Sequence, residues 1–451
     1  MTADKVKDNE REEPLLRLLL QTVDGAFPYL TPHLLQKCFP AEKVQDILWI
    51  GISVRDTCIV PVLKIPKDGA ATAPKPRGYT FSDQVQLDPW LAPYTRITVP
   101  TFDPVADAIQ FSPKQVADTS TLITASKQHT MVWTDNGRQQ LSTGVYQAAA
   151  AGLKSHVNVP LFDVTLTDAT EKRRRAAYQR TQAWCSEMIH YSSQQLQSQK
   201  QGRIWASCLI APKEHSLFED PDVEQQYNAI KKQLQEDQPQ VTGVVFVGWQ
   251  YAKTPAQKLA LLQTSADRFK KQAAAANLVS NPILAVLATN TLSQLLGCYQ
   301  IGIHVVGTNL PSKWAKTHRA FVVDFSSWES SLQQATATKR PRLAEPDIKE
   351  SNVLLLDADG CTPVVVASKS DAPSWIRDNR PILPGCSCMT CSQHNRAYLY
   401  HLVKTKELLV EILLFIHNLH HLLGMCRELQ DAHKEGTQED FYKFIMSQLQ
   451  Q

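Results

Sequence analysis

The stretch Pro384-Gly385-Cys386-Ser387-Cys388-Met389-Thr390-Cys391 places three thiols at i, i+2 and i+5, and His417-Asn418-Leu419 brings an imidazole 26 residues beyond the last of them. Thiolate sulfur and imidazole nitrogen are the ligands of closed tetrahedral zinc sites. Three of the ten cysteines fall inside six residues, which singles the segment out. The spacing predicts a Cys3His structural zinc centre built from Cys386, Cys388, Cys391 and His417. The competing reading is a cluster of buried or redox cysteines beside a core histidine.

A shared ion also dictates the path of the chain. One straight helix from Cys391 to His417 would hold them about 39 Å apart at 1.5 Å per residue, whereas both must lie within about 2.0–2.3 Å of the metal. The segment therefore folds back. Thr405, a good N-cap residue followed by Glu407, marks the expected break, with a short helix over about 394–403 and a longer one over about 406–424. Leu408, Leu409, Ile412, Leu413, Phe415 and Leu419 surround most of the longer helix. It is expected to be buried, in its own domain and against a partner.

Of 451 residues, 43% are hydrophobic and 20% charged, with a formal net charge of +3. Such a chain can form one large core with additions, or two or three smaller domains, and its charge alone does not argue nucleic-acid binding. Residues 1–13 are polar and acidic, without the apolar core of a signal peptide, and are expected to be a disordered leader. Arg17 interrupts Leu15–Leu20, while Glu411, His417, Asn418, His420 and His421 interrupt Leu408–Leu423, so no membrane span is expected. Cys38, Cys58, Cys185, Cys208, Cys298, Cys361 and Cys426 show no framework spacing, which suits a reducing compartment.

Residues 47–51 and 58–62 have strand character, and the Pro/Ala/Lys/Gly-rich stretch 66–78 reads as a solvated loop or a linker. Apolar strands are then expected at Met131–Trp133, Val157–Val164, Ile204–Ala211, Gly243–Gly248, Ile283–Ala288 and Gly302–Gly307. Helix-like stretches around 170–197, 222–235, 255–275 and 290–300 separate them. Short apolar strands alternating with amphipathic helices indicate a parallel sheet covered by helices, either a closed barrel or a doubly wound open sheet. Residues 326–350 break the rhythm as an exposed insertion, whose basic tetrad 339–342 reads as loop charge or a nuclear-import signal. Further strands are expected at 353–356 and 363–367, and Thr437-Gln438-Glu439-Asp440 starts a last helix.

Cys-x-Cys-x-x-Cys followed by Arg396-Ala397-Tyr398-Leu399, His401-Leu402, Glu407 and His417-Asn418-Leu419 resembles the zinc subdomain of the tRNA-guanine transglycosylases, the queuine tRNA-ribosyltransferase family. The resemblance implies an irregular α/β fold, a (β/α)8 TIM barrel that exchanges guanine for queuine at the wobble position of certain tRNAs. It also implies, in eukaryotes, a heterodimer of a catalytic subunit and an inactive homologue. The corresponding layout is an N-terminal β-rich segment of the barrel domain over 14–115, a degenerate (β/α)8 barrel over 116–380 and a helical zinc-binding subdomain over 381–451.

The family pattern Gly-Val-Asp-Met-Phe-Asp-x-x-x-Pro-Thr-Arg resembles Gly302-Ile303-His304-Val305-Val306-Gly307-Thr308-Asn309-Leu310-Pro311-Ser312-Lys313. Gly307 then stands where the attacking carboxylate is expected, and glycine has no side chain with which to form a glycosyl-enzyme intermediate. The pattern Thr-Asp-Ser-Gly-Gly-Phe-Gln corresponds to Thr134-Asp135-Asn136-Gly137-Arg138-Gln139-Gln140, keeping Asp135 but replacing a glycine by Arg138. Asp163 of Phe162-Asp163 resembles a base-holding carboxylate. The glycine-rich strand ends appear as Leu209-Ile210-Ala211-Pro212-Lys213 and Phe246-Val247-Gly248-Trp249.

Beside these stand plainer readings. Asp135 and Asp163 suit strand ends where a carboxylate caps a helix or meets water, and Trp133, Trp205 and Trp249 suit the core. The run Lys172, Arg173, Arg174, Arg175 suits a solvated helix face, with phosphate contact to tRNA as the functional alternative. His420 and His421 suit either support of the ligand histidine or the surface. The expectation is a non-catalytic subunit with one structural zinc, working in the cytoplasm with a catalytic queuine tRNA-ribosyltransferase subunit and tRNA. The nucleus and the mitochondrial outer surface remain open. An active enzyme using Asp135 or Asp163, or a stand-alone zinc-stabilised tRNA-binding protein, are the alternatives.

Overall fold

The computed structural model describes residues 16–22, 27–54, 91, 93–103, 125–134, 137–195, 203–210, 221–235, 241–275, 282–323, 325, 328, 353–355 and 377–450. Strands β1 (Arg17–Gln21), β2 (Leu48–Ser53) and β3 (Arg96–Val99) come first, and β4 (His129–Thr134) and β5 (Gly137–Ser142) form a hairpin. Then follow β6 (Val157–Asn158), β7 (Arg203–Leu209), β8 (Val241–Val247), β9 (Ile283–Thr289) and β10 (Val305–Thr308). Apart from the hairpin these strands are parallel and close into an eight-stranded barrel in the order β1-β10-β9-β8-β7-β6-β3-β2. The fold is thus the closed α/β barrel and not the open sheet.

Helices α1 (Pro32–Cys38) and α2 (Ala41–Val44) follow β1, and α3 (Thr143–Leu153) follows the hairpin. Helices α4 (Glu171–Gln195), α5 (Pro221–Gln235), α6 (Pro255–Ala275), α7 (Leu292–Ile301) and α8 (Leu310–Lys316) follow β6 to β10 in turn. The strands can be apolar on both faces because helices cover one and the barrel interior the other: every residue of β8 except Thr242 is buried. Trp49 on β2 stacks on Trp205 on β7 with centroids 5.7 Å apart. The two strands are not neighbours, so this pair fills the interior. Trp205, Trp249 and Trp133 are all buried, as the core reading expects.

Three expected strands differ. Met131–Trp133 lies in β4, outside the barrel, because only two residues separate Thr134 from its partner Gly137, a hairpin connection, whereas a parallel crossover needs about a dozen. The third barrel strand is instead β3. The strand expected over Val157–Val164 ends at Asn158, before Pro160, which has no N–H for the ladder. Gly302, expected to open a strand, ends α7 in the left-handed conformation at φ 82°, its N–H bonding the Tyr299 carbonyl, and β10 starts only at Val305. The expectations for 1–13, 58–62, 66–78, 339–342 and 363–367, and for all of 326–350 except Trp328, lie outside the described residues.

Beyond the barrel, β11 (Arg319–Phe321) pairs antiparallel with β12 (Val353–Leu355), followed by α9 (Met389–Gln393), α10 (Arg396–Thr405), α11 (Leu409–Lys434) and α12 (Gln438–Gln450). The break between α10 and α11 falls one residue later than expected. Thr405 is the last residue of α10, its hydroxyl bonding the His401 carbonyl at 3.0 Å, and Lys406 reverses the chain at φ 56°. Helix α11 also runs ten residues past the expected end near 424, carrying buried Met425, Cys426 and Leu429. It is long and apolar enough to cross a membrane, yet 72% of its most apolar window is buried within the fold.

Polar stitches fasten α11 to the barrel side. Gln430 Nε2 donates to the Leu16 carbonyl at 2.7 Å, and Tyr299 donates to the Leu429 carbonyl at 3.0 Å. Asn418, wholly buried, accepts from the Phe321 N–H at 2.7 Å and donates to the Arg319 carbonyl at 2.9 Å. Its amide thus takes the place of a neighbouring strand for β11. Asn418→Ala leaves these groups buried and unpaired, and is expected to lower unfolding free energy by about 1–3 kcal/mol in a denaturant titration. Asn418→Asp is expected to fall short of wild type as well, because it loses the donor to Arg319.

Candidate metal centre

The three cysteines arrive on a turn and the first residues of a helix. Gly385, at φ 83°, swings the chain into Cys386, and Cys388 caps α9, its sulfur accepting the Cys391 N–H at 3.3 Å. Thr390 ties the loop to α11 by donating to the Leu413 carbonyl at 2.6 Å. From α11, His417 Nδ1 lies 3.6 Å from Cys388 Sγ and 3.4 Å from Cys391 Sγ. The ligating atoms of Cys386, Cys388, Cys391 and His417 all fall within 4.8 Å of one another. His417 Nε2 meets the Phe321 carbonyl at 3.0 Å, so this nitrogen carries the proton and Nδ1 keeps its lone pair toward the sulfurs.

The donor set fits a divalent metal such as zinc. Burial lowers the His417 pKa to about 4, keeping the ring in the neutral, ligating form. Crowding divides the thiols. Hydrogen bonds from Cys388 and then Cys391 draw the Cys386 thiol far below the ordinary thiol range. Its neighbours move the opposite way, Cys391 to about 11, chiefly through their bonds to Cys386. Cys386, Cys388, Cys391 and His417 would supply all four ligands of such an ion, the set of a structural rather than a catalytic site.

Arg396 holds the approach to the site. Its guanidinium donates to the carbonyls of Pro381 and Ile382 and to Asp378, while Arg380 also pairs with Asp378. Those bonds, with Arg380 first, hold the Asp378 carboxyl well below the usual range. Cys38 of α1 approaches Met389 of α9 at 3.7 Å between sulfurs. Neither the Thr390 tie nor the Cys38 contact is signalled in sequence, because each joins residues that are distant along the chain.

At the C-terminal mouth of the barrel, Asp163 is the expected carboxylate that falls among the described residues. Asp135 and the side chain of Arg138 lie outside the described residues, as do Ala211, Pro212 and Lys213. Asp163, 2% exposed, is held by two arginines of α4: Arg173 grips it with both terminal nitrogens at 2.8 and 2.6 Å, and Arg180 at 2.7 Å through Nε. It neither caps a helix nor meets water. The cleft beside it, lined by Pro100, Thr101, Thr130, Met131, Phe162 and Val164, has about 10 Å³ of open space, the size of one water. Of the basic run, Arg173 is used on Asp163 and Arg174 on Glu171 and the Ala169 carbonyl, while Lys172 and Arg175 are exposed.

Gly307 packs against backbone. A Cβ built there would overlap the Leu287 carbonyl, at the point where the β10–β9 register shifts. Thr289 Oγ1 donates to the Gly307 carbonyl at 2.9 Å, and Gln21 Nε2 to the Leu287 carbonyl at 3.2 Å.

A family profile described as queuine tRNA-ribosyltransferase matches residues 108–451. The chain belongs to that family. Three curated relatives carry the name queuine tRNA-ribosyltransferase accessory subunit 2. The Anopheles gambiae protein is 27% identical over 327 residues, 66% of this chain and 60% of that protein. The Danio rerio protein is 27% identical over 170 residues, 37% of this chain and 40% of that protein. The Drosophila grimshawi protein is 62% identical over 45 residues, 10% of this chain and 11% of that protein. The chain is thus a queuine tRNA-ribosyltransferase homologue with a (β/α)8-type barrel and a Cys3His cluster, matched over part of each relative.

Zinc uptake by this homologue is expected to release protons near neutral pH, because thiols raised by crowding must give theirs up to ligate the metal. The sign follows: affinity falls as pH falls. Calorimetry in buffers of different ionisation enthalpy measures the release. Chelation of the ion is expected to weaken protection of α9 and α10 against hydrogen exchange before that of β7–β9.

Proposed function

We propose that this chain is the non-catalytic accessory subunit of a heterodimeric queuine tRNA-ribosyltransferase, with one structural zinc at Cys386, Cys388, Cys391 and His417. Gly307 carries the reading. In the alignment set by Gly302 and Pro311 it occupies the place of the family's attacking carboxylate, and the Leu287 backbone occupies the space such a side chain would need. The second candidate nucleophile, Asp163, is bonded to Arg173 and Arg180, which opposes attack on a ribose and recognition of a purine edge alike. The proposed work is scaffolding: the partner performs the base exchange, and this subunit supports the assembly and orients tRNA.

The docking surface proposed for the catalytic subunit lies on the zinc subdomain. The exposed large hydrophobic residues among those described are Tyr398 at 37%, Leu408 at 65% and Leu409 at 39%, all in α10 or at the start of α11. For tRNA the proposal favours Lys172 and Arg175, the two exposed residues of the basic run. Such contacts supply salt-dependent affinity without reading sequence.

Purified alone, the chain is expected to incorporate no labelled guanine into tRNA, and co-expressed with a catalytic homologue it is expected to form an active 1:1 complex. Incorporation by the lone chain would sink the reading. Gly307→Asp is expected to confer no activity and to destabilise at or beyond the upper end of the roughly 1–3 kcal/mol range of overpacking, read from a denaturant midpoint. Leu408→Asp with Leu409→Asp is expected to leave the melting temperature of the lone chain within about 2 °C, because surface changes cost little, while weakening the complex at least about tenfold in sedimentation. Replacing Lys172 and Arg175 by alanine is expected to reduce the complex's log K against log salt slope by about two.

A further inference from the structure

His421 lies one turn beyond His417 on the same face of α11, with the two rings 4.5 Å apart between centroids. It is 5% exposed, and neither ring nitrogen meets a partner in full hydrogen-bond geometry, although the ring stands near enough to Cys386 to help lower that thiol's pKa. Phe325 stacks along the ring at 6.4 Å, and Phe321 meets it edge-on at 6.5 Å. The aromatic residues account for its shape but offer nothing to a ring N–H. Folded proteins pair nearly all buried polar side-chain groups, so a buried imidazole with two idle nitrogens calls for a partner.

The neighbouring sulfurs are unequal. Cys388 Sγ accepts a backbone N–H, and His417 Nδ1 faces Cys388 and Cys391. Cys386 is the least buried of the three cysteines, and its thiol is the one drawn down by its neighbours, His421 among them. A divalent ion with three thiolates and a neutral imidazole also leaves one unit of negative charge in a largely buried site. A ring N–H directed at a thiolate offsets that charge and restricts the ligand's rotamer.

We infer that His421 is a positioning residue of the metal centre, donating a ring N–H to the Cys386 thiolate when the metal is bound. The inference rests on the cluster holding a divalent ion. It adds a residue to the centre outside the four ligands and gives the pair at i and i+4 distinct tasks, His417 as ligand and His421 as donor to a ligand.

The test uses the full-length chain loaded with zinc or cobalt(II), and compares wild type with His421→Leu and His421→Gln. His421→Leu is expected to transfer zinc to a chromophoric chelator about 10-fold faster or more, while His421→Gln, which keeps an N–H, stays within about threefold of wild type. In the cobalt form of His421→Leu the thiolate-to-metal charge-transfer band is expected to move to lower energy, with the d–d bands of a tetrahedron of three sulfurs and one nitrogen retained. A ring that only fills space would move neither readout on substitution, and unchanged transfer and bands in His421→Leu would overturn the inference. So would d–d bands showing a lost nitrogen ligand, since His421 would then be a ligand itself. Wild type that takes up no stoichiometric ion would overturn the metal reading along with the inference. His421→Phe, closer in shape, serves the same comparison where leucine prevents folding.

Discussion

An imidazole has two nitrogens, and the arrangement of this chain follows from where those of His417 point. One faces Cys388 and Cys391 and the other meets the Phe321 carbonyl on β11. A metal ion held by the first nitrogen therefore bears on a strand that follows the barrel directly. Asn418 extends the link to the N–H of the same residue and to Arg319. The C-terminal helices that carry the Cys3His cluster are thus joined to the rest of the fold by directional bonds as well as by apolar packing of α11. Such bonds fix the rotation of α11 about its axis, which burial of a helix apolar on most sides leaves poorly determined.

The mouth of the barrel shows a different economy of charge. Asp163 faces two guanidinium groups, and the cleft beside it, among the described residues, has room for about one water. At Gly307 the close approach of the Leu287 backbone occupies the space a side chain would take. The register of β10 against β9 shifts at the same point.

Much of this was legible in sequence. Cysteine spacing marked the cluster because metal ligands must converge, and apolar strands alternating with amphipathic helices marked the parallel sheet. What escaped was long-range or depended on local stereochemistry. Barrel strand β3 is only four residues long and has no distinctive signal, while β4 has a convincing apolar core but only Asp135 and Asn136 before its partner. Pro160 and Gly302 moved strand ends through a missing donor and a left-handed turn. Arg173 looked like surface charge because its partner Asp163 sits in the loop between β6 and α4, and the burial of His421 has no counterpart in the pattern of the helix.

The strand order carries a consequence for the nascent chain. Strand β1 lies between β2 and β10, with Leu19 beside both Trp49 and Gly307. The first barrel strand to leave the ribosome is therefore completed by the last. At about 5–20 residues per second, Gly307 follows Leu19 by roughly a quarter of a minute to a minute. Through that interval one edge of β1 stays without its partner strand, so early synthesis is when this chain has most need of a chaperone or of slow, orderly collapse.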